Sequence, residues 1–313
     1  SIAANLVFTA GTIASPITME GYKSVRGDLL AKSWKESHLA TGWLNTAEYP
    51  IISCGAFTLR LPTHSLIRCL EFRTSNIASG ITTGVPCMLW RVKVTSSANN
   101  AAAIGLTSGG KLFAADCDFV TTGAANAACV VGGSTLTMLL GCRFTGTGTT
   151  GIDGKTSSVA VGCLFVDFTA VGSSAITQAS ASQSFSVSNC TFVNCTAGVM
   201  LPNIAQASPF ICVSNCIFIN CGTGIMNLGT AFDVFSINNR MSNTINYSGW
   251  HINAGLNDVL DAYNAGEFLD AAGGDFHLSI SSPAIDIGVP EGLDGGAYQA
   301  EGGYTLLRDC LEG

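Results

Sequence analysis

The sequence predicts an all-β solenoid in which short coils stack along one axis. Three observations predict it: a Cys-x-Phe motif that returns at a near-constant interval, apolar residues alternating with a period of two around it, and the scarcity of helical periodicity between residues 51 and 245. The motif stands in LFAADCDFV, TMLLGCRFT, SVAVGCLFV, FSVSNCTFVNC and ICVSNCIFINC. Its phenylalanines are Phe119, Phe144, Phe165, Phe192 and Phe218, so the successive steps are 25, 21, 27 and 26 residues. These steps are too short for a strand-helix-strand crossover at every repeat and too regular for unrelated strands, which leaves one solenoid turn per repeat. LIRCLEFR with Phe72, MLWRVKV around Trp90 and Val92, and VFSINNRM near Asn239 extend the series to roughly eight coils.

Within a coil, the alternation marks strands of three to six residues, and Gly, Asn, Asp and Ser take the corners, where tight bends or positive φ are needed. Stacking at the strand spacing of about 4.8 Å aligns equivalent side chains into ladders, so the phenylalanines should form one internal column. Cys117, Cys142, Cys163, Cys190 and Cys216 share a second position, and Cys195 and Cys221 a third. Cysteine is small and apolar enough for a narrow interior, and ligands in a line do not surround a metal, so these columns are read as packing and no cofactor or metal is assigned. Asn189, Asn215 and Asn239, with Asp116 before them, are read as one corner, and Asp167, Asn194 and Asn220 as another. The glycosylation triplets at Asn189, Asn194 and Asn246 are accordingly read as turn chemistry.

The repeats resemble those of right-handed parallel β-helix proteins, the pectate-lyase-like group that includes phage tailspikes and many bacterial surface proteins. The resemblance implies a single-stranded right-handed parallel β-helix with capped ends, and it identifies a fold far better than a reaction. A second resemblance lies in DFHLSISSPAIDIGVPEGLDGGAYQ, which is similar to the terminal segment of many β-helix surface proteins, with Gly295 where a bulky apolar residue is usual. Ser282, Pro283, Asp286, Gly288, Asp294 and Tyr298 are the capping residues it implies. The chain is thus divided into an N-terminal cap or attachment region at 1–50, the β-helix at 51–245, and a C-terminal excursion and cap at 246–313. In the first region, LLAKSWKESHLA has the spacing of a short amphipathic helix, with Trp34 inside it and Trp43 just after, and the RGD at 26–28 is read as chance. The stretch from Asn246 to Gly274 loses the coil period and is read as an excursion or a short helical insert before the terminal strand.

With Phe pointing inward, its strand neighbours point outward. Leu164 and Val166, Thr191 and Val193, and Ile217 and Ile219 then form an external apolar stripe, either a protein interface or a bed for the terminal segment. One and two coils earlier the outward residues are charged, Arg143 and Asp118, and with Asp116 they form the sole close trio from which a saccharide site could be built. No complete catalytic constellation and no aromatic row accompany them.

Charged residues are 11% of the chain against about 25% in average proteins, with hydrophobic residues at 47%, so charge-driven disorder is excluded. A net charge of -7 without basic runs argues against a nucleic-acid partner, and no apolar segment is long enough to insert in a membrane as a helix. The opening SIAANLVFTAGTIASPITMEG lacks the basic start of an export signal, although a signal removed ahead of Ser1 would leave the same sequence. The 13 cysteines, mostly unpaired in this reading, favour manufacture in a reducing compartment. Together these features point to a non-enzymatic structural component of a phage virion, assembled in host cytoplasm and partnered by other structural subunits or copies of itself. An exported cell-surface protein and a polysaccharide lyase or glycosidase are the alternatives, and carbohydrate is a secondary partner class.

Overall fold

A computed structural model describes residues 6–7, 17–21, 49–75, 79–83, 86–97, 102–106, 111–123, 128–131, 136–148, 150–154, 157–178, 184–201, 210–230, 233–272 and 275–285. The chain winds as a single-stranded right-handed parallel β-helix with three sheets, each ten strands deep, and visits the first, second and third sheet in turn on every coil. Strands one coil apart pair in parallel, as in Asp118–Thr121 beside Arg143–Gly146. Parallel pairing extends past both ends of the expected 51–245 span. Ile17–Glu20 pairs with Ser65–Arg68, and Ile252–Leu256 and Val259–Leu260 add to the second and third sheets. The last coil escaped sequence reading because its third-sheet strand carries Leu260 where the repeat has Phe, and Asp258 where it has Cys.

The inner column of the third sheet is the predicted phenylalanine ladder. Phe119, Phe144, Phe165, Phe192 and Phe218 are fully buried. Their rings stack with centroids 4.4–5.0 Å apart and planes within 4–21° of parallel. Strand pairing imposes this repeat, so the rings stack because the backbone beneath them does.

At the corner between the second and third sheets, Cys69, Arg91, Asp116, Asn189, Asn215, Asn238 and Asn257 all adopt left-handed backbone with φ of 51–60°, and Gly141 and Gly162 take the same place. This conformation is disfavoured for L residues, and Asn, Asp and Gly tolerate it best. The residue in the corner is Asn238, not the expected Asn239. Asn239 instead continues the cysteine column, for a reason visible in the hydrogen bonds. The Cys163 N–H donates to Sγ of Cys190 and the Cys190 N–H to Sγ of Cys216, each at 3.4 Å; the Cys216 N–H then donates to Oδ1 of Asn239 at 2.8 Å and the Asn239 N–H to Oδ1 of Asp258 at 2.7 Å. Each of these four amides is satisfied by the side chain one coil further on, and polar acceptors replace sulfur in the last two coils. All twelve cysteines of the described residues are free thiols. Burial pushes the Cys142 and Cys190 thiols well up and that of Cys129 to about 12.

After Leu260 the chain leaves the helix. Asn264 caps a single 3-10 turn, Ala265–Glu267, and Phe268–Asp270 pairs antiparallel with Asp275–Leu278. The excursion therefore begins at 261, and residues 246–260 belong to the solenoid. The proposed helix with Trp34, neighbouring Trp43, the RGD, and the capping residues Asp286, Gly288, Asp294 and Tyr298 lie outside the described residues.

Candidate interaction faces

The outer face of the third sheet carries the stripe read from the sequence, and the structure decides between its two roles. Leu164, Val166, Val193, Ile217 and Ile219 form one buried cluster with Phe268, Phe276, Leu278 and Ala284. Thr191 is buried among them in register with Leu164 and Ile217. The stripe is thus the bed of the chain's own C-terminal hairpin, not an open interface. Phe268 and Phe276 meet edge to face at 5.4 Å. Ser282 holds the turn that follows: its Oγ accepts from the Ala284 N–H at 3.2 Å and its carbonyl from the Ile285 N–H at 3.2 Å, while Pro283 faces solvent. This part of the capping segment covers the flank of the solenoid.

A buried cation fastens the hairpin. Arg240 stands on the third sheet one coil beyond Ile217 and is fully buried. Its Nη2 donates to Oε1 of Glu267 at 2.6 Å and to the Ala262 carbonyl at 3.1 Å; its Nη1 donates to the Asp261 carbonyl at 3.0 Å and pairs with the Asp261 carboxylate. Oε1 of Glu267 also accepts from the Asn264 N–H at 3.0 Å, so one carboxylate ties strand, turn and hairpin together. Sequence reasoning passed over Arg240, because a lone arginine in a strand carries no signal of burial.

Towards the N-terminal end, the same outer column holds Glu71, Lys93, Asp118 and Arg143 on four consecutive strands, alternating in sign. The saccharide trio dissolves into this ladder. Asp118 and Arg143 are neighbours in register, but Asp118 is only 5% exposed and lies 3.9 Å from Nζ of Lys93. Burial raises its carboxyl above the ordinary value, Arg143 and then Lys93 oppose the rise, and Glu71 adds to it. Asp116 sits in the left-handed corner, buried, and accepts from Nε1 of Trp90 at 3.3 Å. The three do not line an open groove, and the described residues contain no cluster of metal-ligating side chains.

The second sheet presents a different face. Leu66, Met88, Phe113, Met138 and Val159 stand outward in one column across five consecutive strands, and Trp90, Leu140 and Val161 stand in the column beside it, where buried Ala115 separates Trp90 from Leu140. All but Ala115 are partly or well exposed, Met88 at 46%. The column continues through Ser186, Cys212 and Phe235. At its N-terminal end Arg68 pairs with Glu20 at 2.9 Å. The alternation that marked the stripe after the cysteine corner, applied to the strand before it, would have found this face.

No family model matches the chain, and no curated protein matches it. Among solved structures, the crystal structure of pectate lyase Pel9A aligns over 96% of this chain and 86% of that one, at 14% identity and a TM-score of 0.44. At that identity and TM-score the alignment carries no activity across.

Proposed function

We propose that the chain is a non-enzymatic structural scaffold whose second-sheet face contacts other protein subunits, copies of itself included. The observation that carries this reading is the apolar double column from Leu66 to Val161, partly exposed on a rigid sheet and without cover among the described residues. A contiguous apolar patch of this kind is a recurrent mark of protein contact surfaces, and a rigid sheet loses little entropy on docking. A virion component and an exported surface protein would both use such a face, so the setting is a matter for cell fractionation. Met88→Glu with Met138→Glu is expected to weaken self-association through this face at least tenfold in sedimentation experiments while circular dichroism stays unchanged. Association indistinguishable from that of the parent would remove the face from the reading.

Cys212 offers a direct probe, because it lies half-buried in the same outer column while its neighbours in the cysteine ladder are fully buried. Alkylation mapped by mass spectrometry should modify Cys212 ahead of Cys190 and Cys216, and more slowly as protein concentration rises. The competing polysaccharide-lyase reading is supported by fold likeness alone. Incubation with polygalacturonate and calcium tests it, and the appearance of unsaturated products would overturn the non-enzymatic reading.

A further inference from the structure

We propose that the C-terminal end of the solenoid takes the first coil of a second copy, so that chains stack head to tail with their sheets continuous. This axial contact extends the scaffold reading but does not depend on the second-sheet face. Its basis is where the core is incompletely closed. Four of the five partly buried side chains packed against the main core lie at its two ends, Met19 and Ile52 at one and Tyr247 and Ile252 at the other. Leu260 occupies the inner column of Phe218 and Met241, both fully buried, yet is 53% exposed because no strand follows it among the described residues. At the opposite end Ile52, in the inner column of Phe72, is only partly buried, and its outward neighbour Ile51 is 48% exposed.

The two ends also match in register. Placing the Ile51–Gly55 strand of a second copy below Val259–Leu260 sets its Ile51 under Val259 and its Ile52 under Leu260, because Ile51 and Ile52 pair with Glu71 and Phe72 just as Arg240 and Met241 pair with Val259 and Leu260. On the second sheet, the incoming Ile17 falls under Ile252. Apolar meets apolar in each of these columns. The corner continues as well: within the chain the Gly21 N–H donates to the Arg68 carbonyl and the Asn215 N–H to the Ile237 carbonyl, and across the junction the Asn257 N–H would meet the incoming Glu20 carbonyl. Strand edges left without a partner among the described residues take up further strands readily, and a head-to-tail contact along a straight axis does not close.

The test uses the full chain with each end blocked in turn. Ile51→Asp and Leu260→Asp place charges at exposed positions, so both should fold like the parent by circular dichroism. The parent should form a concentration-dependent series of multiples, and electron microscopy should show rods with an axial repeat of about 48 Å, from ten strands at about 4.8 Å. Each variant alone should be monomeric along this axis, and an equimolar mixture should form axial dimers that grow no further, since the contact uses the open end of each variant and leaves only blocked ends outside. Self-association of either variant like the parent, or no dimer in the mixture, would overturn the proposal. Hydrogen exchange on the parent supplies a check independent of the variants: protection of amides 252–260 should rise with concentration. Full protection at the lowest concentration would show that a segment of the same chain, such as residues 286–313, fills the site. Met88→Glu with Met138→Glu should leave the axial series intact, which separates failure of this contact from failure of the lateral one.

Discussion

The outer faces of the second and third sheets are built from the same alternation and meet opposite fates. On the third sheet the apolar residues Leu164, Val193 and Ile217 are covered by the hairpin, which Arg240 and Glu267 fasten. On the second, Leu66, Phe113 and Met138 have no comparable cover among the described residues. An outward apolar column is therefore not by itself an interface. Its role depends on whether the chain folds back over it, and that depends on a segment far away in sequence.

The strongest way to break this contrast is to place the same charge on both faces. Ile217→Asp would bury an unpaired carboxylate under the hairpin and should lower the unfolding free energy by about 4 kcal/mol, whereas Met138→Asp should change it by less than about 1 kcal/mol. Urea melts compare them, and equal losses would mean that the two faces are covered alike.

The fastening can be examined next. Arg240→Ala leaves Glu267 buried without its partner and should destabilise by about 3 kcal/mol, with faster proteolysis between residues 261 and 275. Arg240→Met combined with Glu267→Leu should recover most of that loss, since an apolar pair of similar volume avoids the stranded charge. If the double variant is no better than the single one, the pair does more than hold the hairpin down.

The corners sharpen the comparison with a smaller effect, because both faces hang from them. Asn215→Ala forces alanine into left-handed backbone and should cost about 1 kcal/mol, while Asn215→Gly should be nearly neutral. Thermal melts distinguish the two.

The smallest effect concerns the charged end of the third sheet. Since the Asp118 carboxyl is raised in the folded chain, the folded state holds that proton more tightly than the unfolded state. The associated stabilisation is present below the unfolded value and is lost as pH climbs through the raised one. Asp118→Asn should flatten this descent in unfolding free energy measured across acidic pH. An unchanged profile would mean that Lys93 and Arg143 fully offset the burial.

Period and residue type were enough to read the solenoid, the stacked phenylalanines, the free cysteine column and most of the asparagine corners, since each is a local property repeated on every coil. The reading failed where the repeat changes its letters. Asp258 and Leu260 continue the columns of Cys216 and Phe218 without resembling them, so the last coil looked like an excursion. Asn238 and Asn239 differ only by which of two adjacent amides takes the left-handed corner, and the cysteine column's need for an acceptor selects the outcome.

By itself, then, the sequence determined the coil, because a 21–27-residue step with alternating apolar residues has one economical way to bury its surface. Only the tertiary structure decided which outward stripe is sealed, why Arg240 can be buried, and where the core stays open. Each of those depends on contacts between segments distant in the chain, and no period within a coil encodes them.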